Sequence, residues 1–192
     1  PAFLSLGVTM TVRDLIDRAY MQVGDTSQVN YTPYQFLEFY NEGNHILHRL
    51  VARYIPDIVS KTESGHQLRP DVALSKMALR ILSVKDARGN DIDYDLTAHQ
   101  LVTAKDKTQR GLTVIYIPSA DYKDMSDNSG YPSEMESMLV NYMVARVLKA
   151  DLSFVSNWEN EVSEIARQMD DENGFIARGY WPYDSRRTDY DD

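Results

Sequence analysis

Glu42-Gly43-Asn44-His45 sets a carboxylate and an imidazole three residues apart, with Glu38 and His48 within a turn on either side. On a helix that spacing places both groups on one face, and Glu-x-x-His is the half-site from which di-iron and di-manganese bundles are built. Such a centre needs a second copy of the motif and facing glutamates. The other histidines, His66 and His99, fall in a stretch of strand character, so the half-site is unmatched. These residues are expected on the exposed face of an amphipathic helix, because a lone half-site cannot complete a coordination sphere. Asp121, Asp124 and Asp127, with Asp106 upstream, raise calcium, but the alternate-residue ligands and closing glutamate of an EF-hand loop are missing. A solvated acidic loop is expected there.

The chain has no glycine-rich phosphate loop, no Gly-x-Ser-x-Gly elbow and no His-Glu-x-x-His. Ser64 and Ser129, each beside a glycine, have no histidine placed as a base. Asn30-Tyr31-Thr32 fits a glycosylation sequon by coincidence, and Arg186-Arg187 is too short for a nucleic-acid patch. The absence of cysteine excludes disulfides and thiolate metal sites. No enzyme, cofactor or metal is expected. A formal net charge of -9 argues against a nucleic-acid-coating protein, although an acidic wall would let passing DNA slide without sticking. Hydrophobic residues at 43% and charged residues at 26% are ordinary for a soluble globular chain. The opening residues lack a charged n-region, and no apolar run reaches the ~20 residues a membrane span needs. The expected setting is intracellular and non-membrane, or built there and carried out.

The elements that must position these residues are helices first. Thr11 with Asp14 opens a helix over 11–23, striped by Val12, Leu15, Ile16, Ala19 and Val23 and stopped by Gly24. Thr32, Pro33 and Gln35 open a second over 33–54, with Phe36, Leu37, Tyr40, Leu47, Leu50 and Val51 at helical spacing. The strongest pattern is Pro132 to Asp151, read as a helix over 133–150 with a capping box of Ser133 and Glu136. Met135, Met138, Leu139, Tyr142, Met143 and Val147 form its main stripe, and Val140, Val144 and Leu148 widen it. Ser156 and Glu159 suggest another capping box for a helix over 157–170.

Between the helix pairs, 58–118 reads as a small antiparallel insert. Leu79–Asp86 is a strand candidate, Arg88–Asp91 a turn, Ile92–Leu96 a strand pairing back across it, and Leu112–Pro118 the clearest strand. Leu68–Val72 reads as a turn. The last residues, 175–192, mix Phe175, Tyr180, Trp181, Tyr183, Arg186 and Arg187 with terminal acids. That run is too aromatic for a plain solvated tail and is expected to dock. The fold expected is α+β and mainly helical. It comprises a four-helix bundle-like core with a small β insert in one domain over 1–174, and an extended C-terminal tail over 175–192.

The order of these pieces resembles the head-to-tail adaptor proteins of tailed bacteriophages, called tail tubular protein A in podoviruses. The resemblance runs from about Thr11 to Asp151. It rests on Val12-Arg13-Asp14-Leu15-Ile16, the Gly24-Asp25 turn, and Phe39-Tyr40-Asn41-Glu42-Gly43. The last of these is similar to the family's L-N-x-A-x-x-x-L region, with Gly43 in place of alanine. It continues through Leu68-Arg69-Pro70-Asp71-Val72, where Arg69 interrupts the family's Leu-Pro-x-Asp, to Arg80-Ile81-Leu82-Ser83-Val84 and the helix led by Pro132-Ser133-Glu134. The resemblance implies a structural virion protein at the head-tail junction, assembled in the host cytoplasm. It would form a ring of twelve copies between the portal protein and the tail nozzle or tube. DNA would pass through without sequence-specific binding. It also implies that Phe175, Tyr180, Trp181, Tyr183, Arg186 and Arg187 reach the portal or a neighbouring subunit, and that Val140 and Val144 pack near the next copy. The alternatives are a stopper or tail-completion protein one ring lower, and a metal-binding helical enzyme built on Glu42 and His45.

Overall fold

The computed structural model describes residues 10–25 and 27–173. Helix α1 (Val12–Val23) opens on a reciprocal pair: Asp14 N–H donates to Thr11 Oγ1 at 3.2 Å, and Thr11 N–H donates to Asp14 Oδ2 at 3.0 Å. Two donors that the helix cannot satisfy internally are thereby used. It closes at Gly24, whose φ of 77° is left-handed. Buried Asp25 then accepts from the N–H groups of Val29, Asn30 and Tyr31, turning the chain towards α2 (Pro33–Tyr54). Thr32 and Gln35 open α2 by the same reciprocal device. A short α3 (Pro56–Val59) follows.

Helix α4 (Ser133–Val147) packs on both α1 and α2, and α5 (Trp158–Asn173) packs on α2 after a 3-10 turn over Ser153–Asn157. Tyr20, Phe36, Tyr40, Leu47, Met135, Leu139, Met143 and Trp158 fill the core between them. Neither of the two later capping boxes forms. Pro132 is the N-cap of α4 and makes no side-chain cap bond, so the helix begins one residue before a Ser133 cap would place it. Ser156 donates to Ser153 O at 2.5 Å inside the 3-10 turn, while Glu159 reaches across to Arg53 and Tyr54. Helix α4 also stops short of 150. Lys149 is left-handed at φ 53°, and Ala150 N–H closes on Ala145 O at 2.9 Å.

The expectation of a mainly helical chain, with a four-helix bundle-like core and one small β insert, is overturned. Among the described residues, five helices accompany two three-stranded antiparallel sheets. The first sheet has the order β1 (Lys61–Ser64), β6 (Thr113–Pro118), β3 (Ala78–Lys85). The second has the order β2 (Asp71–Ala73), β5 (Leu101–Ala104), β4 (Tyr94–Thr97). Val84, Val114 and Tyr116 of one sheet share a buried cluster with Val72, Val102 and Ala104 of the other, closed by Leu112. The β region thus supplies its own core and does not lean on the helices for one. The expected tail, 175–192, lies outside the described residues.

One strand assignment changes with this. The segment 92–96 begins to pair across the Arg88–Asp91 turn, through Ile92 N–H to Val84 O at 3.0 Å, but β4 then leaves for β5 in the second sheet. The β4–β5 turn is made by Ala98 and His99, both left-handed at φ 50° and 57°. Packing near a neighbouring copy is also corrected for Val140, which is 2% exposed inside its own core, whereas Leu148 is 55% exposed.

Candidate functional site

The connection from β6 to α4, residues 119–131, has no regular structure of its own beyond an isolated bridge between Thr11 and Asn128. Its main-chain groups are met by polar side chains on the buried side of α2. His48 Nε2 lies 2.9 Å from Pro118 O, at the exit of β6. Asn44 Nδ2 donates to Asp121 O at 3.2 Å, and its Oδ1 accepts from the Tyr131 hydroxyl at 2.9 Å. Asn41 makes a two-way clamp on Lys123, donating from Nδ2 to its carbonyl at 3.0 Å and accepting its N–H on Oδ1 at 2.7 Å. These three side chains sit at i, i+3 and i+7, so one face of α2 presents them in a row along the segment. All three are buried, and burial holds the His48 imidazole below its ordinary range, the bond to Pro118 O opposing this in part. Because a carbonyl oxygen can only accept, it is the Nε2–H of His48 that donates to Pro118 O.

The other end of the segment is tied to α1 and α4. Val12 N–H donates to Asp127 O at 2.9 Å and Arg13 N–H to Met125 O at 3.0 Å, using two first-turn donors of α1. Glu136 is buried in the first turn of α4 and accepts from Met10 N–H at 3.0 Å and from the Ser129 hydroxyl. Beside it the Tyr40 hydroxyl is fully buried with no hydrogen-bond partner among the described residues, and burial pushes its ionisation well up. The β unit joins the same seam through the Lys76–Asp121 ion pair and through Arg80 Nη2, which donates to Ala52 O at 2.9 Å.

Residues singled out for chemistry are dispersed by the fold. Glu38 accepts from Tyr122, Glu42 pairs with Arg146 at 3.0 Å, and His45 is exposed. His48, expected on the exposed face with them, is instead buried in the seam. Among the described residues no group of three metal-ligating side chains comes together. Asp121 binds Lys76, Asp127 accepts Asp124 N–H at 2.8 Å, and Asp106 accepts from its own Thr108. Phe175, Tyr180, Trp181, Tyr183, Arg186 and Arg187 lie outside the described residues. The seam itself had a signal in the sequence: Asn41, Asn44 and His48 recur at the period of the apolar stripe of α2 and not of its polar face.

The arrangement holds a connection in place, with its donors and acceptors turned onto main-chain atoms. No protein-family model matches the chain, and no curated protein matches it in sequence. Among the described residues, no helix is long and apolar enough to cross a membrane.

Proposed function

We propose that the chain is a structural subunit of a phage head-to-tail adaptor. It forms one copy of a ring that joins the portal protein to the tail nozzle and surrounds the DNA passage in the virion. The observation that carries this reading is the polar seam. Asn41, Asn44, His48, Asp121 and Glu136 fix an irregular segment against α1, α2, α4 and the β unit at once. A catalytic centre aims such groups into a cleft towards a reacting atom. A connector that must keep its shape uses them to lock its own elements. Asn41 and Gly43, through which the family resemblance runs, both lie on the buried side of α2 that meets the segment and α4.

The partners in this reading are the portal ring, the nozzle and neighbouring copies, with Phe175, Tyr180, Trp181, Tyr183, Arg186 and Arg187 as the docking anchors. Binding of the full chain to purified portal rings tests it, with a truncation after Gly174 as comparison. The full chain is expected to bind and the truncated chain to bind more weakly. Equal binding removes the last residues from the mechanism. Binding only to a protein lower in the tail assigns the stopper position. Stoichiometric iron or manganese that is lost in His45→Ala would replace the whole reading with a metalloenzyme.

A further inference from the structure

Charge is divided unevenly along the chain. Residues 61–118 hold nine lysines and arginines against seven acids, while 119–173 hold four against twelve. Much of the basic character gathers at one end of the β unit, where three loops meet through main-chain bonds. Ala87 N–H donates to Arg110 O at 3.3 Å, Gly111 N–H to Arg69 O at 3.3 Å, and Lys105 N–H to Asp93 O at 3.0 Å. The loops present Arg69, Arg88, Lys105, Lys107 and Arg110, all exposed, and none forms a salt bridge among the described residues. Two adjacent carboxylates are already occupied. Asp86 accepts the N–H groups of Arg88 and Asn90, and Asp106 accepts from the N–H and hydroxyl of Thr108. Leu68, beside Arg69, is 67% exposed and adds an apolar contact.

We propose that this end of the β unit is a docking surface for the acidic α4–α5 region of a second copy of the chain. Helix α5 exposes Glu159, Glu161 and Glu164; Glu159 pairs with Arg53 and Glu164 with Arg167, while Glu161 forms no salt bridge among the described residues. The basic surface is of mixed sign as well: Asp91, Asp93 and Asp106 line an open depression of about 460 Å³ together with Lys105. Those carboxylates would repel a phosphate backbone but match a helix face that carries both signs. Two molecules of the same net charge, -9, repel unless they meet by complementary parts, so orientation is selected at encounter. The two surfaces lie on different parts of the molecule. Their contact is therefore heterologous and runs head to tail, the kind that closes into a ring when the rotation allows. The inference rests on the ring reading in that copies must meet.

Static light scattering of the full chain gives the second virial coefficient at ~0.01 M and at ~1 M salt, between which the screening length falls from about 30 Å to about 3 Å. Attraction at low salt that disappears at high salt is expected. The Arg69→Glu/Arg88→Glu/Lys107→Glu variant should be repulsive at low salt, and adding Glu161→Lys/Glu164→Lys should restore attraction. All three basic positions are exposed loop residues, and circular dichroism checks the fold, with Lys107→Glu alone as the milder variant. Repulsion between wild-type molecules at low salt, or a coefficient unmoved by the reversals, overturns the proposal. Binding of duplex DNA that is lost in the triple variant while the coefficient stays unchanged reassigns the surface to nucleic acid. Lost portal binding with self-attraction intact overturns the adaptor reading alone, and the opposite pattern overturns this surface alone.

Discussion

Gly43 stands where the adaptor resemblance expects alanine, and the packing of α2 on α4 supplies a reason. A Cβ built at Gly43 would lie 2.9 Å from Tyr142 Cδ1, 3.2 Å from Tyr142 Cγ and 3.3 Å from Leu139 Cδ2. The leucine methyl can swing away. The tyrosine ring is pinned, because it packs against Trp158 at 5.7 Å between centroids and its hydroxyl donates to Glu42. In a helix interior Gly→Ala gains about 0.5–1 kcal/mol of backbone propensity. Overfilling a rigid contact costs about 1–3 kcal/mol. Gly43→Ala should therefore lose about 1 kcal/mol net, which in a chain of this size lowers the melting temperature by about 2–4 °C. In a Tyr142→Leu background, itself destabilised by the lost ring contact, the same substitution should instead gain about 0.5–1 kcal/mol. Urea unfolding of the four proteins, followed by far-UV circular dichroism and tryptophan fluorescence, yields the coupling directly. Equal gains in both backgrounds would refute the close-approach reasoning.

Three further outcomes are expected. Asn41→Leu leaves the Lys123 amide without its acceptor and should cost about 1–3 kcal/mol, with faster hydrogen exchange at that amide as the local readout. His48 is held below its ordinary range by burial, so the unfolded chain takes up its proton first. Stability should fall as pH drops below about 6.5, the unfolded value, and continue to fall until the folded imidazole titrates. A His48→Gln variant should lack that component, and an identical slope from pH-dependent denaturation midpoints would contradict the assignment. Ala98 and His99 hold left-handed conformations that cost L-residues about 1–2 kcal/mol each, so Ala98→Asn/His99→Gly should raise the urea midpoint. An unchanged or lowered midpoint would count against strain at that turn.

The helices were legible because their signals are local. Thr11 with Asp14, Thr32 with Gln35, and Gly24 each act within a turn, and each is formed as read. Ser133 and Glu136 have the same spacing but are diverted, the Ser133 hydroxyl to the neighbouring Glu134 carboxylate and Glu136 to partners outside its helix. Glu136 is taken by Met10 and Ser129, neither of which sequence spacing could bring to it. The β unit is hidden in the sequence for a related reason. β2 and β5 are three and four residues long, and the β4–β5 turn is made by Ala98 and His99 where asparagine and glycine would have announced it. Without those strands the region reads as one sheet in search of a partner, not two sheets sharing Val72, Val102 and Val114. In the seam, the spacing of Asn41, Asn44 and His48 marked a buried polar row, but its partner is an irregular segment with no periodicity to detect.

The first and last strands of the β unit are neighbours. Lys61 stands opposite Tyr116 in the antiparallel β1–β6 pair, so the chain enters and leaves the unit at one place, about 5 Å apart. The unit can therefore be excised without breaking the path of the backbone, by joining β1 to β6 near that point with a two-residue hairpin turn. What remains keeps α1, α2, α4 and α5 with their own buried cluster, and gives up Lys76 and Arg80 as supports of the seam. The same geometry makes the unit portable. A different fold of any length, provided its termini lie one strand spacing apart, could be housed there while the helices keep their arrangement.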